Sequence, residues 1–476
     1  MKHLSLVLLL TCIANELLAQ SNKNKMLESI SKKEMYYDGI AKQIWNFAEV
    51  GYQEVKSSAL LQETLAKEGF KIEKGVAEIP TAFVASFGEG KPVIGILGEF
   101  DALPGLSQDT TADQKSIGGS AGHACGHHLF GTASAAAAIA VKEYMKANNI
   151  KGTIKFYGCP AEEGGSGKVY MVRAGLFNNV DAVLHWHPSA FNSASFGTSL
   201  ANKSGKFRFY GVSAHASASP EKGRSALDGV EAMNNMVNML REHVASDSRI
   251  HYVITNGGKA PNVVPDFAEV YYYARNPRRD ILIDLWSRIE KAAQGAALGT
   301  GTRVEWELTG GTYELLSNET LTQVMHENLT KVGGMTYNVE EKAFAEKISK
   351  TLGAPSLKYE EALEIKPLTP EKGGSGGSTD VGDVSWTVPT VGLSTATWVP
   401  GTPAHSWQAV AAGGRSIGRK GMIIAAKTLA MTATQLFESQ DILKKATEEF
   451  DKARGGKEFK YSSLVGDRKP ALDYRK

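Results

Sequence analysis

Three short apolar runs, at 92–97, 153–157 and 182–184, each stop at a loop carrying carboxylate, cysteine or histidine, side chains that bind metals or move protons. The first is apolar on both faces, the pattern of a strand buried in a parallel sheet, and it opens into GEFDALPG at 98–105. The second ends in GCPAEEGG at 158–165 and the third in HWHP at 185–188. Between them an alanine-rich stretch from 132 to 145 suits a helix packed closely on a sheet. Buried strands alternating with helices predict an α/β fold. Open α/β sheets bind ligands outside the carboxyl ends of their strands. Asp101, Cys125, His127, Glu162, Glu163 and His187 are therefore expected to converge on one edge.

The segment GGSAGHACGHHLFG at 118–131 places three histidines and a cysteine within six residues. Imidazole nitrogen and thiolate sulfur suit zinc and its transition-metal neighbours. Cys125 and His127, two apart, point to the same side of an extended segment. A further loop, PGTPAHS at 400–406, adds His405. Cys125, His127, Glu163, His187 and His405 supply five ligands, enough for two ions that share one of them. Glu162 is then free for proton transfer, because neighbours on an extended loop point apart. Zinc fits the histidines and thiolate, and manganese is admitted by the carboxylates. After removal of a leader, Cys125 and Cys159 are the remaining cysteines. They either form a disulfide or, as we expect, divide into a metal thiolate and a small buried residue.

A chain of 476 residues exceeds one ordinary core, so two domains are expected. Near 203 the texture changes to strand, helix, strand, strand, helix, strand, the order of the split βαβ sandwich. This predicts an inserted unit at 203–311, with the rest of the protein formed discontinuously from 21–202 and 312–476. A formal charge of +2 gives no basic excess for nucleic acid. Residues 1–20 read as a signal peptide: Lys2 and His3 precede an apolar run at 4–14, with cleavage near Ala19. That run is too short to span a membrane, and export to a bacterial periplasm is expected. A lipoprotein reading at Cys12 fits less well, because Thr11 is a poor residue before the modified cysteine. The charged end, 440–476, is expected on the surface. Asp380 and Asp383 either orient His405 or cap the Gly/Ser loop at 373–378.

GEFDALPG, GHACGH, GCPAEEGG and SAHA at 213–216 together resemble the aminoacylase/glutamate-carboxypeptidase family of dinuclear metallohydrolases, in its amidohydrolase branch. The likeness covers almost the whole mature chain. It implies a mixed-sheet metallopeptidase-type catalytic domain with an inserted ferredoxin-like α+β domain that serves as lid and dimerisation surface. It implies two divalent ions, with Cys125 as bridging ligand in place of the aspartate used elsewhere in the family. His127, Glu163, His187 and His405 match the remaining ligands, Glu162 the catalytic base, and Asp101 the acid that supports a ligand. Glu99 stands where other branches place a metal histidine, and His128 where aspartate or asparagine is common. His215 is implied to reach across a homodimer and stabilise the tetrahedral oxyanion. Asn262 and Arg275 match residues that grip a substrate carboxylate, a task suited to the parallel donors of arginine. The implied reaction is hydrolysis of the amide bond of N-acyl (aminobenzoyl-glutamate-like) amino acids or small peptides. The alternative is a catalytically incomplete subunit that binds such conjugates and needs a second, related chain.

Overall fold

The computed structural model describes residues 21–353, 358–369 and 376–475. The expected leader and residues 373–375 of the Gly/Ser loop lie outside them. The larger sheet has seven strands. Its middle is parallel: β6 (Gly152–Cys159), β3 (Val93–Glu99), β7 (Ala182–Ser189) and β13 (Thr390–Ala396) lie side by side in that order. Antiparallel β2 (Phe83–Glu89) and β1 (Lys71–Lys74) extend one side, and β8 (Ser193–Ala194) closes the other. A small hairpin of β4 (Leu103–Pro104) and β5 (Ala121–Gly122) sits beyond the end of β3.

Every residue of β3 is buried, as its uninterrupted apolar run requires. Helix His127–Ala147 packs on β3 with a face of alanines, and helix Ser416–Glu438 packs on it in turn. The alanines bring backbones close. At Gly131 the approach is close: a Cβ there would lie 2.7 Å from the Glu99 carbonyl oxygen. That contact sets the first turn of the helix, and with it His127, directly over the end of β3.

The inserted unit is the βαββαβ sandwich that the alternation predicted. Its antiparallel sheet runs β10 (Arg249–Asn256), β11 (Phe267–Asn276), β9 (Ala201–Tyr210), β12 (Arg303–Thr312). Helices Ala226–Leu240 and Arg279–Thr300 cover one face, burying Phe207, Tyr272 and Trp286. Along β11 the alternate residues Tyr271, Tyr273 and Arg275 lie half-buried on the opposite face. Strictly alternating burial along a strand is what a sheet covered on one side produces.

The carboxyl-terminal segment departs from expectation. Helix Gln440–Ala453 is followed by an irregular stretch that crosses the molecule instead of lying free on it, with Leu464 and Val465 buried. Among the described residues, no helix is long and apolar enough to cross a membrane.

Candidate metal centre

The carboxyl ends of β3, β6 and β7 deliver Glu99, the loop after Cys159, and His187 to one edge of the sheet. His185 and His187 are two apart on β7, but only His187 meets the cysteine: its Nε2 lies 3.4 Å from Cys125 Sγ. His187 Nδ1 lies 2.7 Å from the Pro188 carbonyl oxygen, which fixes the ring. His405 comes from far along the chain, and its amide donates to the Ala124 carbonyl at 3.1 Å. The loop that carries it is thereby pinned to the loop that carries Cys125.

The ligating atoms form overlapping groups in which all members lie within 4.8 Å of one another: Cys125, His127 and His187; Cys125, Glu163 and His405; Glu99, His127 and Glu162. Cys125 belongs to two of them. The structure thus brings together Cys125, His127, Glu163, His187, His405, Glu162 and Asp101. Asp101 touches two of these: Oδ1 lies 2.8 Å from His127 Nδ1, and Oδ2 accepts the Glu163 amide at 2.9 Å. With Nδ1–H directed at Asp101, His127 presents Nε2 as a lone pair to the cluster. The His127 end is fully buried, whereas the His405 side chain is 51% exposed, so solvent enters from the His405 side.

The residues fit a pair of divalent cations. Glu99 Oε2 and His127 Nε2 approach to 3.1 Å, as do Glu163 Oε1 and His405 Nε2. Yet Glu99 Oε2, His127 Nε2 and Glu163 Oε1 are buried without a hydrogen-bond partner. Buried polar atoms left unpaired call for an explanation, and convergent lone pairs are what a cation accepts. A donor set of one thiol, imidazoles and carboxylates suits zinc or a neighbouring metal.

Proton affinities follow the same layout. Burial opposes charge on His127, but Cys125, Asp101 and Glu99 outweigh it and hold its pKa well above the usual value. Burial pushes the Cys125 thiol up, and Glu163 adds to this. Burial alone would also raise Glu163, but the His405 ring and His127 bring it down to about 2. Glu162 is held well above the ordinary carboxylate range by desolvation and by the charges of Glu99, Glu163 and Asp380. Metal binding requires neutral imidazole and ionised thiol, so protons leave as cations enter.

The loop that carries both glutamates is strained. Ala161, Ser166 and also His405 hold positive φ of 56°, 58° and 60°. Such conformations cost of the order of 1–3 kcal/mol each and persist only where the surroundings over-determine them. Here the Ala161 amide donates to buried Glu54 at 2.8 Å and the Tyr52 hydroxyl donates to the Gly165 carbonyl at 2.7 Å.

Sequence reasoning missed Lys168. Its ammonium is fully buried and lies 2.6 Å from both Glu99 Oε1 and Asp380 Oδ1. Its backbone amide also donates to Asp380, at 2.8 Å. Asp380 is thus engaged with Lys168, and Asp383 accepts from the Tyr313 amide and the Tyr461 hydroxyl. Neither orients His405. His128 and His123 are packing residues: their rings meet at 4.9 Å, and each has Nε2 beside a backbone carbonyl, Gly413 and Ile44 respectively. Cys125 and Cys159 are free thiols, so no disulfide joins them.

Of the residues expected from the inserted unit, His215 belongs to none of these groups. His215 is exposed, and its Nδ1 accepts from the amides of Ser217 and Ala218 at 3.3 and 3.1 Å. Asn262 is exposed beside it, its carbonyl accepting from the Ala216 amide at 3.1 Å. Arg275 lies over the Tyr273 ring, 5.8 Å from its centroid.

Residues 95–409 match peptidase family M20/M25/M40. One of the subunits of the p-aminobenzoyl-glutamate hydrolase of Escherichia coli (strain K12) is 42% identical over 448 residues, 89% of this chain and 93% of that protein. The Xaa-Arg dipeptidase of Mus musculus is 30% identical over 443 residues, 90% of this chain and 92% of that one. Two solved structures share the fold. An aminobenzoyl-glutamate utilization protein from Klebsiella pneumoniae has a TM-score of 0.62 at 18% identity, covering 86% of this chain and 97% of its own. A dinuclear metal-binding peptidase of the M20 family from Bacillus subtilis has a TM-score of 0.58 at 17% identity, covering 86% and 99%. The match of residues 95–409, joined to a centre whose buried donors converge without partners, makes this chain a member of peptidase family M20/M25/M40 and a metal-dependent amide hydrolase.

Proposed function

We propose that the protein hydrolyses the amide bond of N-acyl amino acids of the aminobenzoyl-glutamate kind, or of small peptides, with Glu162 as general base. The observation that carries this reading is the division between the adjacent glutamates. Glu163 faces Cys125 and His405, whereas Glu162 lies with Glu99 and His127. Cys125, His127, Glu163, His187 and His405 would hold two divalent ions, zinc or manganese, which when bound would supply Lewis acidity.

Glu162 takes the proton of the attacking water and later gives it to the departing amine. Asp101 fixes the His127 tautomer and the Glu163 backbone together. His215, from the other protomer of a homodimer, donates to the developing oxyanion. Asn262 and Arg275 hold the substrate carboxylate. A dimer is supported by β10, an edge strand on which Tyr252, Val253 and Ile254 are exposed. Residues 1–20 serve as an export signal, so the substrate is met in the periplasm; amino-terminal sequencing of protein from the native cell checks cleavage near Ala19.

The test is Glu162→Gln, assayed on a panel of N-acyl amino acids and dipeptides. Turnover should fall by about 10²–10⁴-fold while two metal ions remain bound. Hydrolysis near the normal rate would remove Glu162 from the reaction. A second reading, a heteromeric enzyme, is favoured because the Escherichia coli relative is one subunit of its hydrolase. Wild-type protein that binds metal but hydrolyses nothing alone would favour it.

A further inference from the structure

The stretch from 459 to 475 has no regular secondary structure, yet it is held along its whole course. Phe459 packs on Trp386, and the Tyr461 hydroxyl donates to Asp383 at 2.7 Å. Leu464 enters the core of the inserted domain, and Val465 enters the core that contains Tyr52 and Ala161. Arg468 donates to Glu307 at 2.8 Å and to the Leu308 carbonyl, both on β12. Arg173 donates to the carbonyls of Gly466 and Arg468, and Gln53 to that of Leu472.

The strap ends on the glutamate loop. The Tyr474 hydroxyl donates to the Glu163 carbonyl at 3.0 Å, and Arg475 Nη2 donates to the same oxygen at 2.9 Å. The sequence leaves room for this. A Cβ on Gly51 would lie 2.2 Å from the Tyr474 hydroxyl oxygen, and one on Gly165 would lie 3.2 Å from its ring. Tyr52 meets the same ring edge-on at 5.6 Å. Two donors on one carbonyl, with Asp101 on the amide of the same residue, fix both peptide groups of Glu163.

We propose that this carboxyl-terminal strap is a positioning element of the metal centre, in which Tyr474 and Arg475 hold the Glu163 backbone so that its carboxylate meets the ion shared with Cys125 and His405. The proposal rests on the reading of Glu163 as a ligand. Partners that orient a ligand typically contribute about 10–100-fold to metal affinity.

Zn²⁺ is titrated into the full chain in competition with a chromophoric chelator, alongside thermal melts. Wild type should take two ions. The double variant Tyr474→Phe/Arg475→Ala should melt cooperatively and bind one ion normally and the other about 10–100-fold more weakly. Arg475→Lys in the Tyr474→Phe background should recover part of the loss. Unchanged binding of both ions, or equal weakening of both in step with a lowered melting temperature, would overturn the proposal. Glu163→Gln separates the underlying reading: it should lose the same ion. If it keeps both at wild-type affinity, Glu163 is no ligand and the proposal falls with it. Should Arg475→Ala impair folding, Tyr474→Phe, which keeps the ring in its slot, decides alone by the same criterion.

Discussion

Lys168 carries its charge where no solvent reaches, and the carboxylates of Glu99 and Asp380 neutralise it. Breaking a buried ionic group by removing one partner strands the others, typically at a loss of about 3–5 kcal/mol. Lys168→Met should therefore destabilise the protein by about that amount in urea melts, with Asp380→Asn in the same chain restoring part of it. A loss below about 1 kcal/mol would mean that the two carboxylates are not both ionised. The residues of the candidate cluster were legible because each is a chemistry-bearing residue at, or in a loop after, the end of a short buried run, most of them beside glycines. Lys168 was not, since a single lysine five residues past Glu163 looks like any solvated side chain. Only the fold shows it turned inward beneath Glu99.

Strand ends place the candidate ligands, and the helix on top of them sets their spacing. Gly131 meets the Glu99 carbonyl at van der Waals range, so Gly131→Ala must lift helix His127–Ala147 away from β3. Overpacking of this kind typically destabilises by about 1–3 kcal/mol. The expected result is a lowered melting temperature together with reduced turnover, because His127 begins that helix. Normal turnover at a lowered melting temperature would show that His127 is held by Asp101 and not by the helix. At this scale the buried strands were readable from their apolar runs, and the inserted sandwich from its alternation. The strap was not. Its stretch is charged, lacks any period, and buries only isolated residues such as Leu464 and Val465.

The whole molecule joins a ligand cluster in one domain to His215 and Asn262, which stand exposed on another. If each active site draws His215 from the other protomer, two inactive variants can complement. Glu162→Gln mixed with His215→Ala, after exchange of protomers, should recover roughly a quarter of wild-type activity, since half the dimers are mixed and each has one intact site. No recovery, with exchange verified by mass, would show that His215 does not act across the dimer, and a His215→Ala variant that is active alone would place it outside the reaction. The course of the final residues carries a practical consequence. Because Tyr474 and Arg475 rest against Glu163, any affinity tag fused directly after Lys476 would be attached within a residue or two of the support for the glutamate loop. Protein tagged there should load metal more weakly than protein tagged ahead of Ser21, at the other end of the described residues.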